Sequence, residues 1–449
     1  MSIVVVGAGS IGTHLADVLA KEGKNVIIID EDASTLARFA RSADVATICG
    51  CGCDWKILAE LAEQKPMLFL ALTSHDETNL AACSIAKNLG YPTTLARITK
   101  PYLLDHTRID FGRLFYVDHF LAPDLIVARD LFKSIVTPGT ISAENFVQGA
   151  VQMSTLRIPD TWNPNGKKIA EYNLGDHLLI GLIQRHANDS DTVIFPHGSD
   201  ELLPGDRVTF IGETDATLSL PNFFGIEKKT VKSVVIAGAS MTTNHLAHIL
   251  HEHNIDVTII EADEKKCLNL ATEHDYATVL HHPPTDQDFL IAEKVNQIDV
   301  FVAASDSIDQ NILAATVAQE AGCSEVITVV SDTGYMHLLR RLGIHYAISD
   351  KLCVSNRILP IVHTDAVSSM TSLCEGRAKI VEFKVSSETK ISGMPISDLA
   401  PLLPHNCLIA LIENHGEVTI AKGNSIFSPG DTVIVITAPE HVPELQKLF

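Results

Sequence analysis

Cations are scarce in this sequence: 34 Lys and Arg stand against 55 Asp and Glu, a formal net charge of −21 at pH 7. Nonspecific nucleic-acid binding and docking on anionic lipid both need clustered Lys and Arg, so the balance excludes them. It favours solubility and an encounter with a basic partner surface. Long apolar runs are missing too. None approaches the ~20 residues that cross a bilayer, which argues against direct membrane insertion. The N-terminus enters a strand with no basic n-region, apolar h-region or cleavage site, and so points to the cytosol. Cysteine is sparse, and its count of nine is odd, so the thiols cannot all pair within one chain. No second Cys or His pair stands at metal-ligand spacing. Cys49, Cys51 and Cys53 alternate, which on a strand end puts all three on one side; in a reduced compartment they read as three plain thiols.

What is present begins at once. Ile3-Val4-Val5-Val6 reads as a buried strand, Gly7-Ala8-Gly9-Ser10-Ile11-Gly12 as a turn, Thr13 to Lys21 as a helix and Val26 to Ile29 as a second strand closed by Asp30. In a βαβ unit the first Gly makes the tight turn, the second lets a pyrophosphate approach the backbone, and the third lets helix and strand pack closely. The phosphates then meet the helix N-terminus. Asp30 lies 21 residues beyond Gly9, near the ~20 expected of the acidic side chain that accepts from a ribose diol. These residues are the candidate nucleotide site.

Further strands are expected at Val45 to Ile48, Met67 to Leu72 and Thr94 to Ile98, with helices at Asp54 to Glu63 and Leu80 to Leu89. Ligands in open α/β sheets sit beyond the carboxyl ends of the strands, so Thr73, Ser74 and Arg97 join the Gly turn on one edge. Arg97 there either neutralises a phosphate or forms a structural ion pair. A helical stretch follows at Pro123 to Lys133. From Met153 to Gly212 come short β segments with Gly, Pro and Asp turns, and Pro221 to Lys229 reads as a linker.

At Ser233 the pattern starts again. Val234 to Ala237 repeats the first strand, Gly238 stands 231 residues after Gly7, and Glu261 stands 231 after Asp30. Phe301 to Asn311 repeats Phe69 to Asn79, and Ser428-Pro429-Gly430-Asp431 repeats Leu203-Pro204-Gly205-Asp206. The fold expected is therefore α/β: two tandem Rossmann-like parallel-sheet lobes, each followed by a small α+β C-lobe. The expected bounds are 1–133, 134–220, 230–362 and 363–449. The second copy offers Gly238, Ala239, Ser240 and Glu261 as a weaker nucleotide site. Gly9 has become Ser240, Gly12 has become Thr243, and Arg97 faces Val329, so this copy reads more readily as a pseudo-site kept for packing.

The chain resembles the peripheral subunits of Trk potassium-uptake systems, the TrkA family, built of two regulator-of-potassium-conductance (RCK) units. The resemblance rests on Gly7 to Gly12, Ile29-Asp30, Thr73 to Leu80, Ala96-Arg97, the two Pro-Gly-Asp turns and the tandem order. It implies a cytoplasmic regulatory subunit that binds NAD(H) or ATP/ADP. Such a subunit forms a homo-oligomeric ring at the inner face of the membrane, beneath a TrkH/TrkG-like potassium-translocating subunit whose conduction it gates. By the same resemblance Gly7, Ala8, Gly9, Ser10, Ile11 and Gly12 would cradle phosphates and Asp30 would hold the adenosine ribose. Thr73 and Ser74 would line the distal side, and Arg97 would meet phosphate. The family usually has Asp after the Gly that ends the third strand; here Gly50 is followed by Cys51, which leaves the nucleotide preference open.

Two other readings compete. One is a nucleotide sensor for another transporter or a soluble partner. The other is an NAD-dependent dehydrogenase with its substrate domain at Val136 to Gly212, which would need a proton-handling group near the hydride acceptor. His75 is on the right edge for that role, but its repeat segment Ser305 to Ser307 holds no His.

Overall fold

A computed structural model describes residues 2–449 apart from 106, 138–139, 148–149, 165, 173, 175–176, 188–189, 227–229, 332–333, 363–366, 388, 390, 400 and 415–416. The end of the expected linker, Asn165 in the first C-lobe and the expected boundary at 363 lie outside the described residues. By its contacts the chain divides into two units, Met1–Val127 with Ser349–Ser355, and Ala128–Ile348 with Asn356–Phe449.

In the first unit the strands are β1 (Ser2–Val6), β2 (Asn25–Asp30), β3 (Ala46–Cys49), β4 (Leu68–Ala71), β5 (Thr94–Arg97) and β6 (His119–Leu121). They form one sheet in the order β3-β2-β1-β4-β5-β6, with every pairing parallel. That is the doubly wound order, and its direction reverses between β1 and β4. β1 and β4 are buried at every position, as strands covered on both faces must be. The edge strand β3 is only partly covered.

The second unit opens on β7 (Thr140–Phe146), β8 (Val151–Arg157), β9 (Leu178–Ala187), β10 (Ser190–Ile194) and β11 (Arg207–Glu213). These make an antiparallel sheet, β10-β9-β11-β8-β7. Part of the expected linker is helical, at Leu220–Phe223, where Leu220 and Phe224 bury themselves against Phe210 and Val208. Apolar anchorage there overrides the loop-like composition.

The first architecture then recurs. Strands β12 (Ser233–Ala237), β13 (Asp256–Glu261), β14 (Thr278–His281), β15 (Val300–Ala303), β16 (Val326–Val330) and β17 (Tyr346–Ser349) take the order β14-β13-β12-β15-β16-β17. A second antiparallel sheet follows. It runs β18-β19-β22-β20-β21, from β18 (Val367–Leu373), β19 (Ala378–Lys384), β20 (Cys407–Asn414), β21 (Glu417–Ile420) and β22 (Thr432–Thr437).

The two antiparallel sheets share a core. Phe146, Met153, Leu182 and Ile211 pack with Ile380, Leu411, Ile434 and Ile436. The approach is close: a Cβ on Gly181 would lie 2.2 Å from Ile436 Cδ1.

The repeated Pro-Gly-Asp turns have a local cause. Asp206, 2 % exposed, accepts from the Leu203 N–H at 2.8 Å and from Arg185 Nε and Nη2 at 2.9 and 2.8 Å. Asp431 accepts from the Ser428 N–H at 2.8 Å and from Asn414 Nδ2 at 2.6 Å. Asp206→Ala leaves the Arg185 guanidinium only its bond to the Glu201 carbonyl at 2.7 Å and should destabilise the protein by about 2–3 kcal/mol in urea unfolding.

Elsewhere in the second unit, the His345 imidazole is pushed down to about 4, first by burial and then by the charges of Arg157 and Arg207. The folded form thus takes up this proton at lower pH than the unfolded chain, whose histidine titrates near 6.5. The contribution of the neutral ring is complete above about pH 6.5 and is lost as pH falls toward 4. His345→Gln should flatten that part of the stability–pH curve.

Candidate functional site

The crevice lies at the carboxyl ends of β1 and β4, where the strand order reverses. Gly7 leaves β1 with φ +102°. A Cβ there would lie 3.0 Å from the Leu72 carbonyl and the Thr73 nitrogen, so the turn is pressed against the end of β4. Gly12 is tighter still, because a Cβ would come within 1.9 Å of the Gly7 carbonyl oxygen.

Gly9 differs from both: nothing lies within 4 Å of the Cβ it lacks. It is the N-cap of the helix Ser10–Lys21, which has no side-chain cap. Free helix N–H groups at an open approach are what an anionic group needs, with a stabilisation of ~0.3–1 kcal/mol from the helix end when exposed and up to ~2 when partly buried.

Asp30 sits beside the turn at the end of β2. Its Oδ2 accepts from the Ala8 N–H at 2.5 Å and its Oδ1 from the Asp32 N–H at 2.8 Å. Two backbone bonds fix the carboxylate, and each oxygen retains a further lone pair for a ribose hydroxyl. At the end of β5, Arg97 Nε is buried without a hydrogen-bond partner, and no ion pair to Arg97 occurs among the described residues. A buried guanidinium donor without a partner is unusual in a folded protein, and the structural ion pair that was its alternative is absent among the described residues.

Thr73 is largely committed to the protein. Its hydroxyl donates to Asn79 Oδ1 at 2.7 Å, and its N–H donates to the same oxygen at 3.0 Å. Asn79 Nδ2 in turn donates to the carbonyls of Thr73 at 3.0 Å and Arg97 at 2.8 Å. This fully buried asparagine therefore ties the end of β4 to the end of β5 and sets where Arg97 starts. Ser74 is exposed, its hydroxyl 3.2 Å from His75 Nδ1.

The following helix starts at Asp76, earlier than its apolar pattern suggests, and runs to Asn88. Asp76 is 3 % exposed and receives the Thr99 N–H at 2.9 Å, the Thr99 hydroxyl at 3.0 Å and the Lys100 N–H at 3.0 Å. It anchors the chain just beyond Arg97. Lys100 also pairs with Glu77 and holds that carboxyl below its usual range.

Cys49 ends β3, whereas Cys51 and Cys53 lie in the loop that follows it, so the three thiols do not share a strand face. Cys49 and Cys51 are exposed. No group of three metal-ligating side chains occurs among the described residues.

The second turn has the same frame and different chemistry. Glu261 accepts from the Ala239 N–H at 2.7 Å and the Asp263 N–H at 2.8 Å, as Asp30 does in the first. Asn311 repeats Asn79, bonding Ser305 and the Val329 carbonyl. But Ser240 caps the helix Met241–Glu252 by accepting from the Thr243 N–H at 3.1 Å. The Thr243 hydroxyl donates to the Gly238 carbonyl at 2.9 Å, and Lys266 reaches over the turn to the Ala239 carbonyl at 3.1 Å. Among the helix-end N–H groups that would meet a phosphate, that of Thr243 is thus already taken by the protein's own hydroxyl.

Gly9 and Gly12 should therefore respond oppositely to substitution. Gly9→Val keeps the melting temperature within about 2 °C and abolishes nucleotide binding. Gly12→Ala should lower stability by about 2 kcal/mol or more, because backbone must move. Calorimetry with NAD and ATP, beside thermal unfolding, separates the two effects.

The TrkA-N domain matches residues 3–109 and 234–350, and the TrkA-C domain matches residues 165–225 and 380–449. Trk system potassium uptake protein TrkA homolog 1 of Methanosarcina mazei is 28% identical, and the match covers 100% of both chains. The TrkA homolog of Archaeoglobus fulgidus is also 28% identical over 100% of both chains. TrkA of Halomonas elongata is 25% identical over 100% of this chain and 98% of that one. Among solved structures, the GsuK RCK domain superposes with TM-score 0.62 at 16% identity, covering 99% of this chain and 94% of that one. The GsuK channel bound to NAD gives TM-score 0.63 at 16% identity, covering 100% and 78%. With its two TrkA-N and two TrkA-C domains in alternation, the chain belongs to the TrkA family.

Proposed function

We propose that the chain is the nucleotide-binding regulatory subunit of a membrane potassium-transport system, with one nucleotide held in the first lobe. The observation that carries the site is the uncapped helix at Gly9, on the same carboxyl edge of the sheet where β5 ends at Arg97 with its Nε unpartnered, against a second turn that caps itself. The potassium system is supported by the relatives, which are named as Trk uptake proteins along their whole length. Binding of NAD or ADP is supported by the GsuK structures described as bound to each.

In this reading the ligand is NAD(H) or ATP/ADP. Gly7 to Gly12 and Arg97 hold phosphate, Asp30 holds the ribose, and Ser74 and Cys51 flank the two ends of the crevice. Gly238, Ala239, Ser240 and Glu261 keep the frame of a site without holding a nucleotide. No helix of the described residues is long and apolar enough to cross a membrane. The chain would therefore reach the inner face of the membrane through a TrkH/TrkG-like translocating subunit, as a homo-oligomeric ring.

The role is regulation, not turnover. Two copies of one lobe, of which one has closed its turn with its own side chains, suit a device that converts occupancy of the other into a change of lobe geometry. A nucleotide biases such an equilibrium only through its differential affinity for the two states; a tenfold preference corresponds to ~1.4 kcal/mol per site.

Titration of the full-length protein with NAD, NADH, ATP and ADP tests the reading. We expect one nucleotide per chain. Arg97→Gln should weaken every phosphate-bearing ligand about tenfold, ~1.4 kcal/mol, at unchanged thermal stability, because its Nε makes no bond within the protein. Two nucleotides per chain, or none, would sink the assignment. Potassium uptake by cells complemented with the same variant then reports whether occupancy reaches the transporter.

A further inference from the structure

The loop between β3 and the helix Trp55–Ala62 carries chemistry that the nucleotide reading does not use. All nine cysteines are free; Cys51 is exposed and Cys53 partly buried. A turn closed by the Asp54 N–H on the Cys51 carbonyl at 3.0 Å folds the chain back over these two cysteines, one residue apart, and burial, the Cys51 charge and Glu31 hold the Cys53 thiol above its usual range. Gly52 between them is pinned, since a Cβ there would lie 2.0 Å from Val6 Cγ1. The Cys-Gly-Cys segment therefore lies against β1, one residue before the Gly7 turn.

On the other side Cys53 Sγ donates to the Thr78 carbonyl at 3.5 Å, next to Asn79, which ties β4 to β5. The corresponding segment of the second copy is Pro283-Pro284-Thr285, followed by the N-cap Asp286 that matches Asp54. The thiol pair belongs to the open crevice alone.

We propose that Cys51 and Cys53 are a modification site, oxidised by hydroperoxides to an intrachain disulfide that weakens nucleotide binding in the adjoining crevice. The effect on binding rests on the functional reading above; formation of the bond does not. Exposed Cys51 reacts first as thiolate. Its sulfur takes the terminal oxygen of R–O–O–H, the O–O bond breaks, the sulfur becomes S–OH, and the alkoxide leaves as alcohol with a proton. The Cys53 sulfur then attacks the Cys51 sulfur, the S–O bond breaks, and hydroxide leaves as water with the Cys53 proton. In total two thiols and one hydroperoxide give one disulfide, one alcohol and one water. Turning Cys53 Sγ toward Cys51 withdraws it from the Thr78 carbonyl and tightens the loop that lies against the end of β1.

The test uses the full chain treated with tert-butyl hydroperoxide. Peptide mass mapping without reductant should show residues 51 and 53 linked with the loss of two hydrogens. Calorimetry with ADP should show affinity reduced tenfold or more, restored by dithiothreitol. Cys49→Ser should keep both effects, and Cys53→Ser should lose both. Absence of the 51–53 link overturns the modification site. A link that leaves ADP affinity unchanged, or an equal loss of affinity in Cys53→Ser, overturns its coupling to binding. Failure of the reduced protein to bind ADP, NAD or ATP overturns the nucleotide reading and the coupling together, while the mass map still decides whether the disulfide forms.

Discussion

A single buried amide at the edge of each parallel sheet fixes what the crevice can do. Asn79 exchanges hydrogen bonds with both main-chain groups of Thr73 and with the Arg97 carbonyl, so the ends of β4 and β5 cannot part without leaving buried polar groups unpaired. The turn after β1 leans on that edge at Leu72 and Thr73. Asp76, three residues earlier on the same helix, holds Thr99 and Lys100 and so fixes the chain that leaves Arg97. The placement of Arg97 and of the turn after β1 thus follows from two polar residues on one helix.

The second copy keeps this clamp and loses the opening. Asn311 makes the same bonds to Ser305 and Val329, and Glu261 binds the turn as Asp30 does. What changed is who satisfies the helix end. A hydroxyl at Ser240 takes the Thr243 N–H, and Thr243 tolerates its own Cβ by bonding the Gly238 carbonyl that would otherwise repel it. Packing the lobe and leaving its helix end open are separable demands, and the second lobe keeps the packing while Ser240 caps the helix.

Much of this was legible in the sequence. The Gly turn, the alternation of lobes and the apolar runs of β1 and β4 were read from spacing and hydropathy, and the sheets follow them. Three things escaped. β6 is three residues long, and β7 lies in a stretch with no clear alternation, so neither offers a period to detect. The helix after β4 begins at Asp76 instead of Leu80, because its first turn is acidic where an apolar pattern is sought, although acidic residues suit a helix N-terminus. The role of Asn79 was hidden in a segment taken whole as a signature. Its only isolated signal was its return as Asn311, with a hydroxyl residue six positions before it in both copies. Which bonds Thr73 makes, and that Arg97 Nε makes none, depend on side-chain geometry that no spacing encodes.

The shared core of the two antiparallel sheets has a consequence for how the copies could diverge. Phe146 and Met153 from one sheet meet Ile434 and Ile436 from the other inside one chain, so their association is intramolecular and does not weaken on dilution. In a symmetric pair of identical chains, any change at the second turn would appear at the first as well, and closing one crevice would close both. Joined in tandem, each lobe mutates alone. Covalent linkage is what allows the two turns to differ, with space at Gly9 in one and a hydroxyl cap at Ser240 in the other.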